Sequence, residues 1–160
     1  MYLQCVFIVT ICLCGVYNIR LCPTGGWFYH GHCYDFHNES YATFTQAQER
    51  CVRDGGNLVH VNNAEENAFL VEHVKHLRPI NSWWIGLWYK DTEGEFSWID
   101  DQSYITYQDF SAHQPDDHGS QHNEDCVLIW HKANWTWNDA KCSSQYHFVC
   151  EKGSVTDLVG

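Results

Sequence analysis

Apolar residues recur along the chain with two different periods. Ala47 and Cys51 lie at i and i+4, the spacing of one helical face. Thr43 with Gln46, or Thr45 with Gln48, supplies a capping box at the start of that helix, and Gly55-Gly56 end it. A second helix is predicted after Asn63, which caps it with Glu66 at the third position. Leu70, Val74 and Leu77 form its apolar stripe, and Arg78-Pro79 stop it. Strands are predicted at Asn57–Val61, Trp83–Leu87, Cys126–Trp130 and Tyr146–Cys150. Glu95-Phe96-Ser97-Trp98 alternates, as a half-buried strand does. Trp27-Phe28-Tyr29 and Cys33-Tyr34-Asp35-Phe36 flank Gly31 as a short hairpin. Between Ile99 and Asp125 the chain carries little regular pattern. Loops of that length in a compact domain are usually functional or disordered.

Length and cysteine usage place these elements in one domain. The chain has 160 residues and nine cysteines, which suits a single unit. Three cysteines fall in the apolar run Cys5–Cys14, too short to span a bilayer as a helix. Residues 1–17 are expected to be a secretory signal peptide, cleaved between Cys14 and Tyr17. Its removal leaves Cys22, Cys33, Cys51, Cys126, Cys142 and Cys150, an even set that suits an oxidising, extracellular compartment. Six cysteines permit about fifteen connectivities. Asn38 and Asn134 open glycosylation sequons, in line with secretion. No second apolar stretch of membrane length follows, so no membrane span is expected. The domain is set at residues 22–151, with a short tail at 152–160.

The net charge of −11 argues against nucleic acid and anionic membranes as partners and is compatible with cation binding. Aromatic residues make up 16% of the chain, enough for a dense core. The acids concentrate in Gln114-Pro115-Asp116-Asp117-His118-Gly119-Ser120-Gln121-His122-Asn123-Glu124-Asp125-Cys126, a stretch of oxygen donors with almost nothing apolar. Calcium takes six to eight oxygens of this kind.

The paired helices, Trp84-Ile85-Gly86-Leu87, Gln114-Pro115-Asp116, Glu124-Asp125-Cys126, Trp137-Asn138-Asp139 and the six cysteines together resemble a C-type lectin domain of the long form. The resemblance runs from Cys22 to Glu151. It implies an α+β class and a double-loop fold, in which two helices flank small antiparallel sheets and disulfides staple the chain. The implied disulfides are Cys22–Cys33, Cys51–Cys150 and Cys126–Cys142. It also implies a principal Ca2+ site of Gln114, Asp116, Glu124, Asn138 and Asp139, with the Asp139 carbonyl as a further oxygen and a cis peptide before Pro115.

The same residues, with His118 beside them, are then the sugar contacts. Gln-Pro-Asp resembles the family's galactose-type arrangement, so terminal galactose or N-acetylgalactosamine is favoured over mannose. His118 stands where such members usually carry a Trp, while Trp130 and Trp135 are expected in packing. Glu93, Asp117 and Asp125 match three ligands of a second calcium site, but Tyr89 occupies the position of its first acid. A homo-oligomer would have to form through the domain itself.

The same residues admit other readings. Glu65-Glu66, Asp100-Asp101 and Asp116-Asp117 could be catalytic carboxylate pairs, but adjacent surface acids are ordinarily solvated and no catalytic motif accompanies them, so no enzyme is expected. His113, His118 and His122 could hold zinc, but their neighbours are hard oxygen donors. The strongest alternative to sugar recognition is a lectin-like domain that binds protein or mineral surfaces.

Overall fold

The computed structural model describes residues 22, 26–89, 95–117 and 123–153. The predicted signal peptide, Glu93, His118, His122 and the tail beyond Gly153 lie outside the described residues. Strands β1 (Trp27–Tyr29) and β2 (His32–Ala42) form the expected hairpin, followed by helix α1 (Phe44–Arg53), β3 (Asn57–Leu58) and helix α2 (Ala64–Leu77). Then come β4 (Trp83–Tyr89), β5 (Phe96–Trp98), β6 (Cys126–Trp130), a 3-10 turn (His131–Ala133), β7 (Thr136–Ala140) and β8 (Tyr146–Gly153). One sheet of eight strands runs β1-β2-β8-β4-β6-β7, with β3 against β8 and β5 against β4. Its pairings are antiparallel except for β4 beside β8, so the sheet is mixed.

The middle of this sheet is covered on both faces. Trp83, Ile85 and Leu87 of β4 pack in one cluster with Leu70 and Val74 of α2 and with Val127, Ile129 and Val149. Trp84 turns the other way, toward Phe44, Ala47 and Cys51 of α1 and toward Leu128 and Phe148. Strands buried on both faces need no polar alternation, which is why Trp83–Leu87 and Val127–Ile129 are continuous apolar runs. The buried Trp84 indole N–H still finds a partner, donating to the Ala42 carbonyl at 3.0 Å.

The helices begin where their caps predict. Thr43 Oγ1 accepts from Gln46 N at 3.3 Å, and Gln46 Oε1 accepts from Thr43 N at 3.1 Å. Of the two capping boxes open in the sequence, this one lets Phe44 enter the helix and bury. Asn63 Oδ1 accepts from Glu66 N at 2.9 Å, and α2 ends at Leu77 with Arg78 as its cap.

Three expectations are corrected. The strand expected over Asn57–Val61 is shorter as a ladder, although Val59 still donates to Val149 O at 2.9 Å and accepts from Gly86 N at 2.8 Å. Phe96, Ser97 and Trp98 are all buried, so β5 is not half-exposed. Strand β7 carries Asn138 and Asp139, which the pattern did not predict as strand. The three disulfides join Cys22–Cys33, Cys51–Cys150 and Cys126–Cys142, as the resemblance implied. Among the described residues no helix is long and apolar enough to cross a membrane.

Gly86 marks a close approach. A Cβ there would stand 2.7 Å from the Leu58 carbonyl oxygen and 3.1 Å from that of Val59. Gly86→Ala must push β3 from β4 and is expected to cost about 1–3 kcal/mol, as overpacking does. Urea titration should show a lower midpoint with an unchanged slope.

Candidate metal and ligand site

Helix α2 and strand β7 anchor the long loop that builds the site. Asn67, buried on α2, donates to Asp109 Oδ2 at 2.8 Å and accepts from the Trp137 indole N–H at 2.9 Å. Trp137 N donates to Asp109 O at 2.7 Å, and Ser111 N donates to Trp137 O at 2.9 Å. The loop is thus stitched to β7 two residues before Asp139. Gln114 N then turns back onto Ser111 O at 3.0 Å, and the Gln114-Pro115 peptide is cis, as the resemblance implied. His113 and Asp117 on either side take left-handed backbone, with φ of 69° and 42°.

Asp139 is the hub. Register places it opposite Val127 on β6, and it has no solvent exposure. Its carboxylate accepts from Asp117 N at 2.7 Å and from Asp116 N at 3.1 Å. Burial pushes its carboxyl up, the N–H bonds from Asp117 and Asp116 pull the other way, and the charge of Asp116 adds to the rise. Asp117 Oδ1 accepts from Glu124 N at 3.1 Å, closing the loop across its far end. Carboxylate oxygens of Asp116, Glu124 and Asp139 all lie within 4.8 Å of one another.

Gln114 Oε1 and Asn138 Oδ1 are buried without a hydrogen-bond partner, as is Asn123 Oδ1. A buried amide oxygen left bare costs about 1–3 kcal/mol. Unsatisfied carbonyl oxygens and converging carboxylates are both donor types a hard cation coordinates, so the residue types present fit calcium. Asn138 Nδ2 donates to the Asp139 carbonyl, so that expected sixth oxygen already has one partner.

Of the expected second-site acids, Asp117 is engaged with Glu124 N, and Asp125 lends its carbonyl to Tyr89 N at 2.8 Å. Trp135 is buried in the first core cluster and Trp130 packs, half-buried, on the second, which bears out their expected packing. The clamp through Asn67 and Asp109 was not foreseen. The oxygen of Asn123, noted in the sequence only as part of the polar stretch, was not assigned either.

The family model described as Lectin C-type domain matches residues 40–152. Human asialoglycoprotein receptor 2 is 36% identical over 138 residues, covering 83% of this chain and 42% of that protein. A perlucin-like protein from Mytilus galloprovincialis is 30% identical over 131 residues, covering 81% of each. The chain therefore spans less than half the length of the asialoglycoprotein receptor and most of the length of the perlucin-like protein. The solved structure of the C-type lectin CEL-I from Cucumaria echinata superposes with a TM-score of 0.74 at 29% identity, over 81% of this chain and 96% of that one. From the second strand to the last, in disulfides, sheet and loop, the chain belongs to the C-type lectin domain family.

Proposed function

We propose that the protein is a secreted, calcium-dependent lectin that binds terminal galactose or N-acetylgalactosamine through Gln114, Asp116, Glu124, Asn138 and Asp139. The observation that carries this reading is the convergence of the Asp116, Glu124 and Asp139 carboxylates within 4.8 Å, and the buried, partnerless amide oxygens of Gln114 and Asn138 on the same two segments support it. A bound calcium would neutralise the carboxylates and offer free coordination to vicinal sugar hydroxyls. The protein side chains set which hydroxyls fit. Asp116 and Glu124 accept hydrogen bonds from hydroxyls, whereas the Gln114 and Asn138 amides donate through their N–H groups. Which flank of Pro115 holds acid and which holds amide thereby fixes the direction of the hydrogen bonds. Asp139, already engaged with two backbone N–H groups, holds the loop in place.

Three disulfides support an oxidising compartment. The asialoglycoprotein receptor's name supports a glycoprotein ligand. The site is a binding surface, not a reaction centre, and one shallow site gives weak affinity. Avidity would come from several copies on one assembly.

Affinity chromatography tests the reading. The protein should be retained on galactose resin in calcium and released by chelator; retention that survives chelation refutes the mechanism. Exchanging both flanks, Gln114→Glu with Asp116→Asn, should shift retention from galactose to mannose resin. An unchanged sugar profile would refute the account of selectivity while leaving calcium dependence standing.

A further inference from the structure

A second group of metal-ligating side chains lies apart from the loop site and shares none of its residues. His60, just after β3, approaches Asp100 and Asp101, which follow β5. One donor atom from each lies within 4.8 Å of the other two. His60 Nδ1 and Asp100 Oδ2 are 3.2 Å apart. Tetrahedral zinc with ligands at about 2.0 Å requires neighbouring ligand atoms about 3.3 Å apart. The His60–Asp100 contact is a hydrogen bond at nearly the same spacing, so zinc would replace it once the ring proton moves to Nε2, with Asp101, exposed like Asp100, supplying the third ligand atom.

The first ligand is held in place. The His60 ring stacks on Trp98, with centroids 4.3 Å apart and planes at 18°. Its backbone N–H donates to Glu151 Oε2 at 3.1 Å, tying it to β8. Asp101 accepts from Ser103 N at 2.8 Å through Oδ1. A cavity of about 300 Å³ opens onto all three side chains and onto His32 and Glu151. His32 Nδ1 and Glu151 Oε1 face each other there at 2.6 Å. One imidazole with two carboxylates differs in kind from the loop site, whose donors are all oxygen. Nitrogen donors favour zinc-class ions over calcium.

We propose that His60, Asp100 and Asp101 form a separate site for a zinc-class divalent cation, with water completing the coordination. Zinc there would cross-link the segment leaving β3 to the turn leaving β5, on the frame of the domain and not on its sugar-binding loop.

The test is calorimetric titration of the intact, oxidised protein with zinc chloride in saturating calcium. Uptake of one zinc is expected, accompanied by a rise in melting temperature. His60→Gln, Asp100→Asn and Asp101→Asn should each weaken uptake at least ~10-fold while leaving calcium-dependent retention on galactose resin intact. Asp116→Asn should do the reverse, so failure of this site and failure of the loop site are distinguishable. Asp101→Asn changes an exposed side chain and keeps the fold if His60→Gln does not. Absence of zinc uptake, full displacement by millimolar calcium, or uptake abolished by replacing His113, His118 and His122 but not His60 would each overturn the proposal.

Discussion

Asp139→Asn is expected to weaken calcium binding by roughly 100-fold or more, about 2.7 kcal/mol, and to abolish calcium-dependent retention on sugar resin. Calcium affinity follows ligand charge over several decades, and this carboxylate is the most buried of the three that converge. In the calcium-free protein the same change should alter stability by no more than about 1 kcal/mol, because two effects oppose each other. An asparagine oxygen in the Oδ2 position keeps both backbone N–H bonds, and only the longer 3.3 Å contact of Asp116 N with Oδ1 is replaced by an N–H group, at about 1 kcal/mol. In return, a buried negative charge beside Asp116 and Glu124 disappears, and with it their mutual repulsion. Parallel calorimetry and thermal melts separate the two effects. Parent protein should gain melting temperature on adding calcium and the variant should not. A variant that still takes up calcium with near-parent affinity would remove Asp139 from the ligand set and leave it as a loop anchor alone.

How far the sequence disclosed this arrangement depends on the range of the interactions involved. Helix caps are local, so Asn63 with Glu66 and Thr43 with Gln46 were readable in a few residues. The choice against Thr45 with Gln48 was not, because it turns on Phe44, which buries against Trp84 from another element. The doubly covered strands announced themselves as unbroken apolar runs. Strand β7 did not, because Asn and Asp are poor strand formers, and its ladder is imposed by β6 from Cys126 to Trp130. The stretch of β2 from Asp35 to His37 is likewise held by pairing with β8 and not by its own pattern, and the register shifts between His37 and Ala42. At the site, the motif flanks and the Trp-Asn-Asp triplet carried the expectation through resemblance. The clamp between Asn67 and Asp109 had no such signal, since its partners stand 42 positions apart and nothing near either residue marks the other.

That clamp leads to the second large effect. Trp137→Ala should cost about 3–5 kcal/mol for the lost ring, a large share of the 5–15 kcal/mol typical of a domain. The indole is fully buried and meets Trp98, Tyr107 and Phe110 edge-on, with centroids 6.1, 5.6 and 5.7 Å away. Its loss also strips Asn67 Oδ1 of its partner. Tyr107 and Phe110 belong to the loop, so the loop should loosen from β7 along with the core. Chelator-treated variant should unfold at a much lower urea midpoint, and limited proteolysis should cut between Ile99 and Asp125 well before the parent is cut. Trp137→Phe keeps most of the packing and removes only the indole N–H. If the Asn67 amide transmits order from α2 to the loop, Trp137→Phe and Asn67→Ala should be non-additive in both stability and calcium affinity, with an interaction of about 0.5–3 kcal/mol. Strict additivity in both measurements would mean that Trp137 supports the loop by packing alone and that Asn67 serves only the helix on which it sits.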